Sequence, residues 1–341
     1  MNLLNTLFVT TQGAYVHKDG ENVLVSVDHA ERLRVPVHRV GSIVCFGNVS
    51  VSPFLLEWCA ERSLHIAMLT EHGKFLGRFE GLASAGAILR RQQYRASLDQ
   101  NETMRIAAFI VQGKIRNSGG LLRRGARERD GEASEALSKA ADSVSRLEAS
   151  LPGANTIDQV RGYEGETAAV YFSVMDAMVV VEDPALRFEK RSRRPPKNAF
   201  NALLSFGYAL LLNDCIAALQ AVSLDPWVGF LHVEHPGRPS LALDLMEEFR
   251  AFTVDRMVLA LLNRKQITGA DFETDPAGGV TLKDAARHTF LSEYQTRKSR
   301  EIQHPLLEQA IPAGLLPHIQ ARLLSRTIRG ELDEYPPFMF R

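Results

Sequence analysis

Between Gly229 and Arg250 the chain reads GFLHVEHPGRPSLALDLMEEFR. One imidazole, His232, follows an apolar run, and three carboxylates, Asp244, Glu247 and Glu248, lie beyond a Pro/Gly turn. A helix beginning near Ala242, with Ser240 as its N-cap after Pro239, brings acids at i, i+3 and i+4 to one side. Leu241, Leu243, Leu245 and Met246 are apolar, so this helix is expected to be well buried. Buried acids need a metal, a partner or a raised pKa. Oxygen donors with a single imidazole suit Mg2+ or Mn2+, ions that polarise a phosphate oxygen and stabilise charge in a transition state. The competing reading is a charged helix face in which Arg250 pairs with Glu247 and Glu248 is solvated, and these residues alone leave it open. His232 and His235 form HxxH in a Pro/Gly loop with no cysteine or HExxH nearby, which argues against structural zinc.

A second island, RGYEGETAAVYF from Arg161 to Phe172, sets Gly162 and Gly165 around Glu164 inside an otherwise helical run. Glycine costs about 1 kcal/mol in a helix interior relative to alanine. Two of them beside one carboxylate suggest that something approaches closely there. The plainer reading is a helix N-terminus whose dipole favours Glu164 and Glu166. No Ser/His/Asp or Cys/His nucleophile arrangement has comparable support, and the absence of GxxxxGK(S/T) speaks against P-loop nucleotide hydrolysis.

The elements that must position these groups are of two kinds, giving an α+β fold. Residues 1–82 read as a small β-rich N-terminal domain. LFVTTQGAYVHKDGENVLVSV suggests a hairpin around Asp19-Gly20, and LRVPVHRVGSIVCFG gives two more strand-like pieces. PFLLEWCAERS is helical, with Ser52 as N-cap before Pro53, and LHIAML reads as a buried strand. Residues 83–341 read as a larger, all-helical domain. Ile106, Ile110 and Lys114 recur four apart in one helix, and Asn117 to Gly120 reads as its C-cap or a loop. Further helices are expected over 128–150 and 156–181. Asn198 to Ser223 is apolar nearly all round and is expected to be central and buried. Helices over 281–300 and 314–330 follow.

The 341 residues are 45% hydrophobic and 23% charged, as in an ordinary soluble protein. No run of 18 apolar residues implies a membrane span, and the N-terminus lacks the features of a signal peptide. Cys45, Cys59 and Cys215 are odd in number and widely spaced, which points to a reduced, cytoplasmic setting. The 40 basic and 40 acidic residues cancel, but the bases are clustered. Nine Lys or Arg lie between Arg90 and Arg127 against Asp99 and Glu102, and KRSRRPPK packs five bases into residues 190–197. Such clusters can bind phosphates, although solvated basic helices are common.

Taken together, the two islands resemble the glutamate motif and the histidine/acid motif of the CRISPR-associated adaptation integrases, the Cas1 family. NAFNALLSFGYALL, LDPWVGFLH and YQTRKSREIQHP also fit. The similarity covers almost the whole chain and is nearest to the type I-C branch. The resemblance implies a Mg2+ or Mn2+ ion held by Glu164, His232 and Glu247. Many relatives carry Asp where Glu247 stands, so this chain's ligand has a longer arm. Asp244 matches a further acid one turn earlier, a ligand directly or through water.

The implied reaction is spacer integration, in which the 3′-hydroxyl of captured DNA attacks a phosphodiester of the CRISPR repeat. With water as nucleophile the same site is an endonuclease. Implied partners are a second copy, joined through the β-rich domain, and a Cas2 dimer flanked by two such homodimers. A Cas4 nuclease and double-stranded prespacer and repeat DNA complete the set. Arg238, Arg193, Arg194, Arg123 and Arg124 are candidates for phosphate contacts. A non-catalytic DNA-binding scaffold and a hydrolase of small phosphoesters are the alternatives.

Overall fold

The computed structural model describes residues 6–62, 64–71, 75–79 and 87–340. The expected domain boundary at 82/83 lies outside the described residues.

The N-terminal part contains two four-stranded sheets. Strands β1 (Thr6–Val9), β2 (Ala14–Asp19), β3 (Asn22–Val27), β4 (Ala30–Pro36), β5 (Ser42–Phe46) and β6 (Val49–Val51) precede helix α1 (Pro53–Glu61). Strands β7 (His65–Leu69) and β8 (Phe75–Phe79) follow it. The expected hairpin forms: β2 and β3 pair antiparallel across Gly20, whose φ of 56° needs no Cβ penalty. One sheet has the order β4-β3-β2-β6. The other, β1-β5-β7-β8, is parallel except for β8. Ser52 caps α1 as expected, accepting the Leu55 N–H at 3.1 Å.

The parallel sheet is covered on both faces, as parallel sheets usually are. Ile43, Cys45 and Ile66 face Val16, Val23 and Val25 of the other sheet and Leu55 and Trp58 of α1. The alternate residues Val44, Phe46, Ala67 and Leu69 belong to the helical core. Phe46 meets Phe206 there at a ring separation of 6.1 Å. The three cysteines are free and buried.

The helical part comprises α2 (Ala87–Leu98), α3 (Gln100–Arg127), α4 (Gly131–Ser150), α5 (Ile157–Ser173), α6 (Ala199–Ala221), α7 (Ser240–Glu247), α8 (Arg256–Asn263), α9 (Asp284–Ser299) and α10 (Leu316–Ile328). It is not purely helical, as two short hairpins interrupt it: β9 (Phe272–Thr274) with β10 (Val280–Leu282), and β11 (Glu301–Gln303) with β12 (Ala310–Pro312). These three-residue strands are too short to give a readable alternation.

Asn117 to Gly120 does not end α3. A Cβ at Gly119 would stand 3.3 Å from Val144 of α4, so a small residue here lets two helices close, and the Asn117 side chain bonds outside its own helix. Helix α5 stops at Ser173 rather than reaching residue 181, and a short 3-10 turn over Met175–Met178 follows. Helix α6 is central, as expected. It is long and apolar enough to cross a membrane, yet 72% of its apolar window is buried inside the protein.

A π-helical turn, Arg250–Asp255, joins α7 to α8. Asp255 is buried and accepts from Tyr171 of α5 at 2.8 Å and Tyr208 of α6 at 2.6 Å. Burial pushes its carboxyl from an ordinary 3.8 up to about 6, against the hydrogen bonds of Tyr208 and Tyr171 and the charges of Arg250 and Arg191. The folded state therefore keeps this proton where the unfolded chain has lost it. Its stabilising contribution is whole below 3.8 and is lost as pH rises through about 6. Asp255→Asn is expected to flatten that part of the decline in thermal stability between about pH 4 and about pH 7. Unfolding curves of the two proteins across this range test it, and parallel pH slopes would refute it.

Candidate metal centre

Helix α7 begins at Ser240, two residues before the expected start near Ala242, and Ser240 is not its cap. The Ser240 hydroxyl donates to the Val233 carbonyl at 3.1 Å and so ties the helix to the loop before it. Asp244, fully buried one turn on, closes the same loop. Its Oδ2 accepts the N–H groups of Phe230 at 2.7 Å and Leu231 at 3.0 Å. Its Oδ1 accepts the His232 N–H at 2.9 Å and meets His232 Nδ1 at 2.7 Å. An ionised carboxylate only accepts, so this network assigns the imidazole proton to Nδ1 and leaves the Nε2 lone pair free. Gly229 permits the clasp, since a Cβ there would lie 2.8 Å from Asp244 Oδ2. Arg161, one turn before Glu164 on α5, donates Nε to the Leu231 carbonyl at 2.8 Å.

His232 Nε2 faces Glu247 Oε1 at 3.8 Å. Glu247 is buried, with Arg250 Nη2 2.9 Å from Oε1 and Lys114 Nζ 2.9 Å from Oε2. The same Lys114 ammonium donates to Glu164 Oε1. One buried cation from α3 thus joins a carboxylate of α5 to a carboxylate of α7. Burial opposes ionisation of Glu247, but the charges of Arg250 and Lys114 outweigh it and hold the carboxyl below the usual range. The expected pairing of Arg250 with Glu247 is present. Lys114 was legible only as the third member of the Ile106–Ile110–Lys114 stripe. A lysine at a core-facing position was the signal that it has a buried partner.

Glu248 is not solvated. It is fully buried and faces away from its neighbour's partners. It accepts from the Tyr335 hydroxyl at 2.6 Å, the Phe338 N–H at 2.7 Å and Gln320 Nε2 at 3.1 Å. Burial pushes its carboxyl up to about 8 despite those hydrogen bonds. Asn117 completes this anchor, donating to the carbonyls of Glu248 at 2.7 Å and Phe338 at 2.8 Å and accepting the Phe340 N–H at 2.7 Å. The segment 335–340 is therefore strapped over α3 beside Gly113, where a Cβ would lie 3.0 Å from Pro337.

Among the described residues no three His, Cys, Asp or Glu side chains stand together as an ion would require. Lys114 and Arg250 already neutralise the carboxylates, and all of Asp244's acceptor positions are engaged. The groups left with unshared acceptor capacity are Glu164, Glu247 and His232 Nε2. Two carboxylates and an imidazole match the hard donor set of Mg2+ or Mn2+. The backbone around Glu164 is bare: a Cβ at Gly162 or Gly165 would meet nothing within 4 Å. The close approach expected there is thus not made by another part of this chain among the described residues.

The candidate phosphate contacts differ in availability. Arg193 and Arg194 are exposed, with no ion-pair partner among the described residues. Arg238 is partly buried in a turn closed by its own N–H to the His235 carbonyl at 2.9 Å. Arg123 donates to Ser145 Oγ at 3.2 Å, and Arg124 pairs with Glu128 at 2.7 Å.

The family model for CRISPR associated protein Cas1 matches residues 7–296. A CRISPR-associated endonuclease Cas1 of Chlorobaculum tepidum is 48% identical over 339 residues, covering 99% of both chains. A CRISPR-associated exonuclease Cas4/endonuclease Cas1 fusion of Geobacter sulfurreducens is 36% identical, covering 98% of this chain and 60% of the fusion. The structure of a CAS1 protein from Thermotoga maritima superposes with a TM-score of 0.82 at 26% identity, covering 96% of this chain and 97% of that one. A casposase bound to integration product matches in fold, with a TM-score of 0.83 at 20% identity over 99% of this chain and 95% of that one.

Lys114→Met leaves two carboxylates facing each other without the cation between them. Breaking a buried ion pair costs about 3–5 kcal/mol, and the partial exposure of Glu164 (28%) brings the expected loss below that. Thermal unfolding in EDTA should show the loss, and Mn2+ should restore stability more in the variant than in the wild type. A variant as stable as wild type in EDTA would contradict the bridging role of Lys114.

Proposed function

The chain belongs to the CRISPR-associated protein Cas1 family, and from that premise we propose that it is a divalent-metal-dependent DNA endonuclease and integrase that inserts captured DNA into a CRISPR array. The observation that carries this reading is the convergence of Glu164 and Glu247 on one buried ammonium, with His232 Nε2 3.8 Å from Glu247. These three are the proposed ligands of a Mg2+ or Mn2+ ion. Such an ion, when bound, supplies the positive charge that stabilises a phosphate in displacement.

The chain's own residues prepare that site. Asp244 is a positioning residue: it holds the His232 tautomer and the loop, as carboxylates commonly do behind a ligating histidine. Arg250 neutralises Glu247 from the rear. Lys114 holds the two carboxylates together and yields them to an ion. In integration, the 3′-hydroxyl oxygen of the captured strand forms a new P–O bond to a repeat phosphate. The bond from that phosphate to its former 3′ oxygen breaks, and the departing oxygen takes up a proton. One phosphodiester replaces another, so no further energy source is needed. With water as the attacking group, the same exchange is hydrolysis.

The proposed assembly is a homodimer formed through the β-rich domain at about residues 1–82, with two homodimers flanking a Cas2 dimer. A Cas4 nuclease is a further proposed partner, a reading supported by the Cas4/Cas1 fusion among the relatives. Type I-C-like membership and a cytoplasmic location belong to this proposal. Arg238, Arg193, Arg194, Arg123 and Arg124 are the proposed phosphate contacts. The first choice for test is Arg193 with Arg194, since both are exposed and have no ion-pair partner among the described residues. The open backbone at Gly162 and Gly165 leaves room for a DNA strand beside Glu164.

Glu164→Ala and His232→Ala are each expected to reduce Mn2+-dependent cleavage of branched DNA by about a hundredfold or more. Wild-type cutting by both variants would sink the assignment. Charge reversal at Arg193 and Arg194 together is expected to weaken DNA binding and flatten its salt dependence. Affinity unchanged from low to high salt would remove that pair from the interface.

A further inference from the structure

A cavity of about 220 Å3 lies against the π-helical turn and shares no lining residue with the proposed metal ligands. That volume is many times the roughly 10–15 Å3 that one water requires. Arg256, Arg297, Lys298 and Arg300 line it, against two carboxylates, Asp214 and Glu301. Asp214 is already engaged, by Lys298 Nζ at 2.8 Å and the Tyr294 hydroxyl at 2.7 Å. Arg297 bonds Glu293 at 2.7 Å, and Arg300 shares that one carboxylate at 3.8 Å. Arg256 has no carboxylate at ion-pair distance among the described residues. Its guanidinium lies over the Phe340 ring at 5.3 Å and the Phe252 ring at 6.0 Å. Burial and the neighbouring charges of Arg124, Arg297 and Arg300 disfavour its protonated form. Positive charge is therefore in excess at the cavity, and an anion would relieve it.

The rest of the wall is apolar and partly aromatic: Phe252, Ile302, Pro317 and Phe340, the last 38% exposed. A guanidinium stacked on an aromatic ring beside an apolar wall suits a flat heterocycle joined to a phosphate. A second, smaller cavity continues along the same side, lined by Arg124, Phe252, Arg256 and Phe340.

We propose that this cavity binds a nucleotide, with the phosphate on the Arg256, Arg297 and Arg300 guanidiniums and the base against Phe340 and Phe252. The ligand is either a free mononucleotide or the phosphorylated end of a DNA strand, two sources with one chemistry. The site is independent of the metal centre and does not rest on the assignment of the metal ligands.

Calorimetric titration of the full chain in EDTA tests it, with 2′-deoxyadenosine 5′-monophosphate, 2′-deoxyadenosine and inorganic phosphate as probes. The monophosphate is expected to bind more tightly than either of the others. Arg256→Gln and Arg297→Gln should each weaken it about tenfold or more, as loss of a charge-assisted hydrogen bond does. Arg256→Lys, which keeps the charge without the planar fork, should fall between. Glu164→Ala should bind the nucleotide like wild type, which separates this site from the metal centre. Because no carboxylate at ion-pair distance depends on Arg256, the Gln variant loses only the ring contacts with Phe340 and Phe252 and should unfold within a few degrees of wild type, so weakened binding is not a folding defect. A 5′-phosphorylated oligonucleotide that displaces the monophosphate, where its 5′-hydroxyl counterpart does not, identifies a strand end as the ligand. Displacement by neither identifies the free nucleotide. Equal affinity in wild type and Arg256→Gln, or inorganic phosphate binding as tightly as the nucleotide, would overturn the proposal.

Discussion

Glu164 and Glu247 come from helices more than eighty residues apart and share a single ammonium in the interior. Two carboxylates brought to one cation, Glu247 buried and Glu164 partly exposed, repel each other, and each demands positive charge or hydrogen-bond donors. Lys114 bridges them, while Arg250 approaches Glu247 from the other side. This compensation requires α3, α5 and α7 to meet with their polar groups in register. It also keeps Glu247 ionised, as the proposed divalent ion requires.

The same demand explains how α7 divides its acids. Residues at 244 and 247 lie about one turn apart, whereas 247 and 248 are separated by roughly 100° around the axis. Asp244 therefore turns to the preceding loop, Glu247 to the site and Glu248 to the segment 335–340. Each finds a different set of donors: backbone N–H groups and an imidazole, two cations, and a tyrosine with an amide and a backbone N–H. Three buried acids within five residues are tolerable because each has its own donors or cations, with only the His232 ring lying between Asp244 and Glu247.

The π-helical turn after α7 lies between the site and the cavity lined by Arg256 and Arg297. Wide turns of this kind recur at functional sites. Here Arg250 reaches back to Glu247, Asp255 holds the hydroxyls of α5 and α6, and Phe252, Thr253 and Arg256 face the cavity. Helix α6 comes close to this turn at Gly207, where a Cβ would lie 2.5 Å from Val254. The shape of the turn is thus constrained from several sides at once.

Much of this was legible in the chain. Period and punctuation determined the β2–β3 hairpin, the Ser52 cap, the buried strand β7 and the central α6. The paired motifs picked out Glu164, His232, Asp244 and Glu247, and the likeness to Cas1 proteins joined them into one site. The sequence could not assign their separate duties. Asp244 and Glu248 are both acids on one buried helix. Their difference lies in whether Phe230 and Leu231 or Tyr335 and Phe338 stand opposite. Asn117 to Gly120 has the composition of a helix end, yet it continues as helix because α4 and the segment 335–340 pack against it. Lys114 carried only the faint oddity of a charge on an apolar stripe. A buried polar group's role is set by the partner it meets, and that partner is fixed by packing between segments far apart in sequence rather than by local pattern.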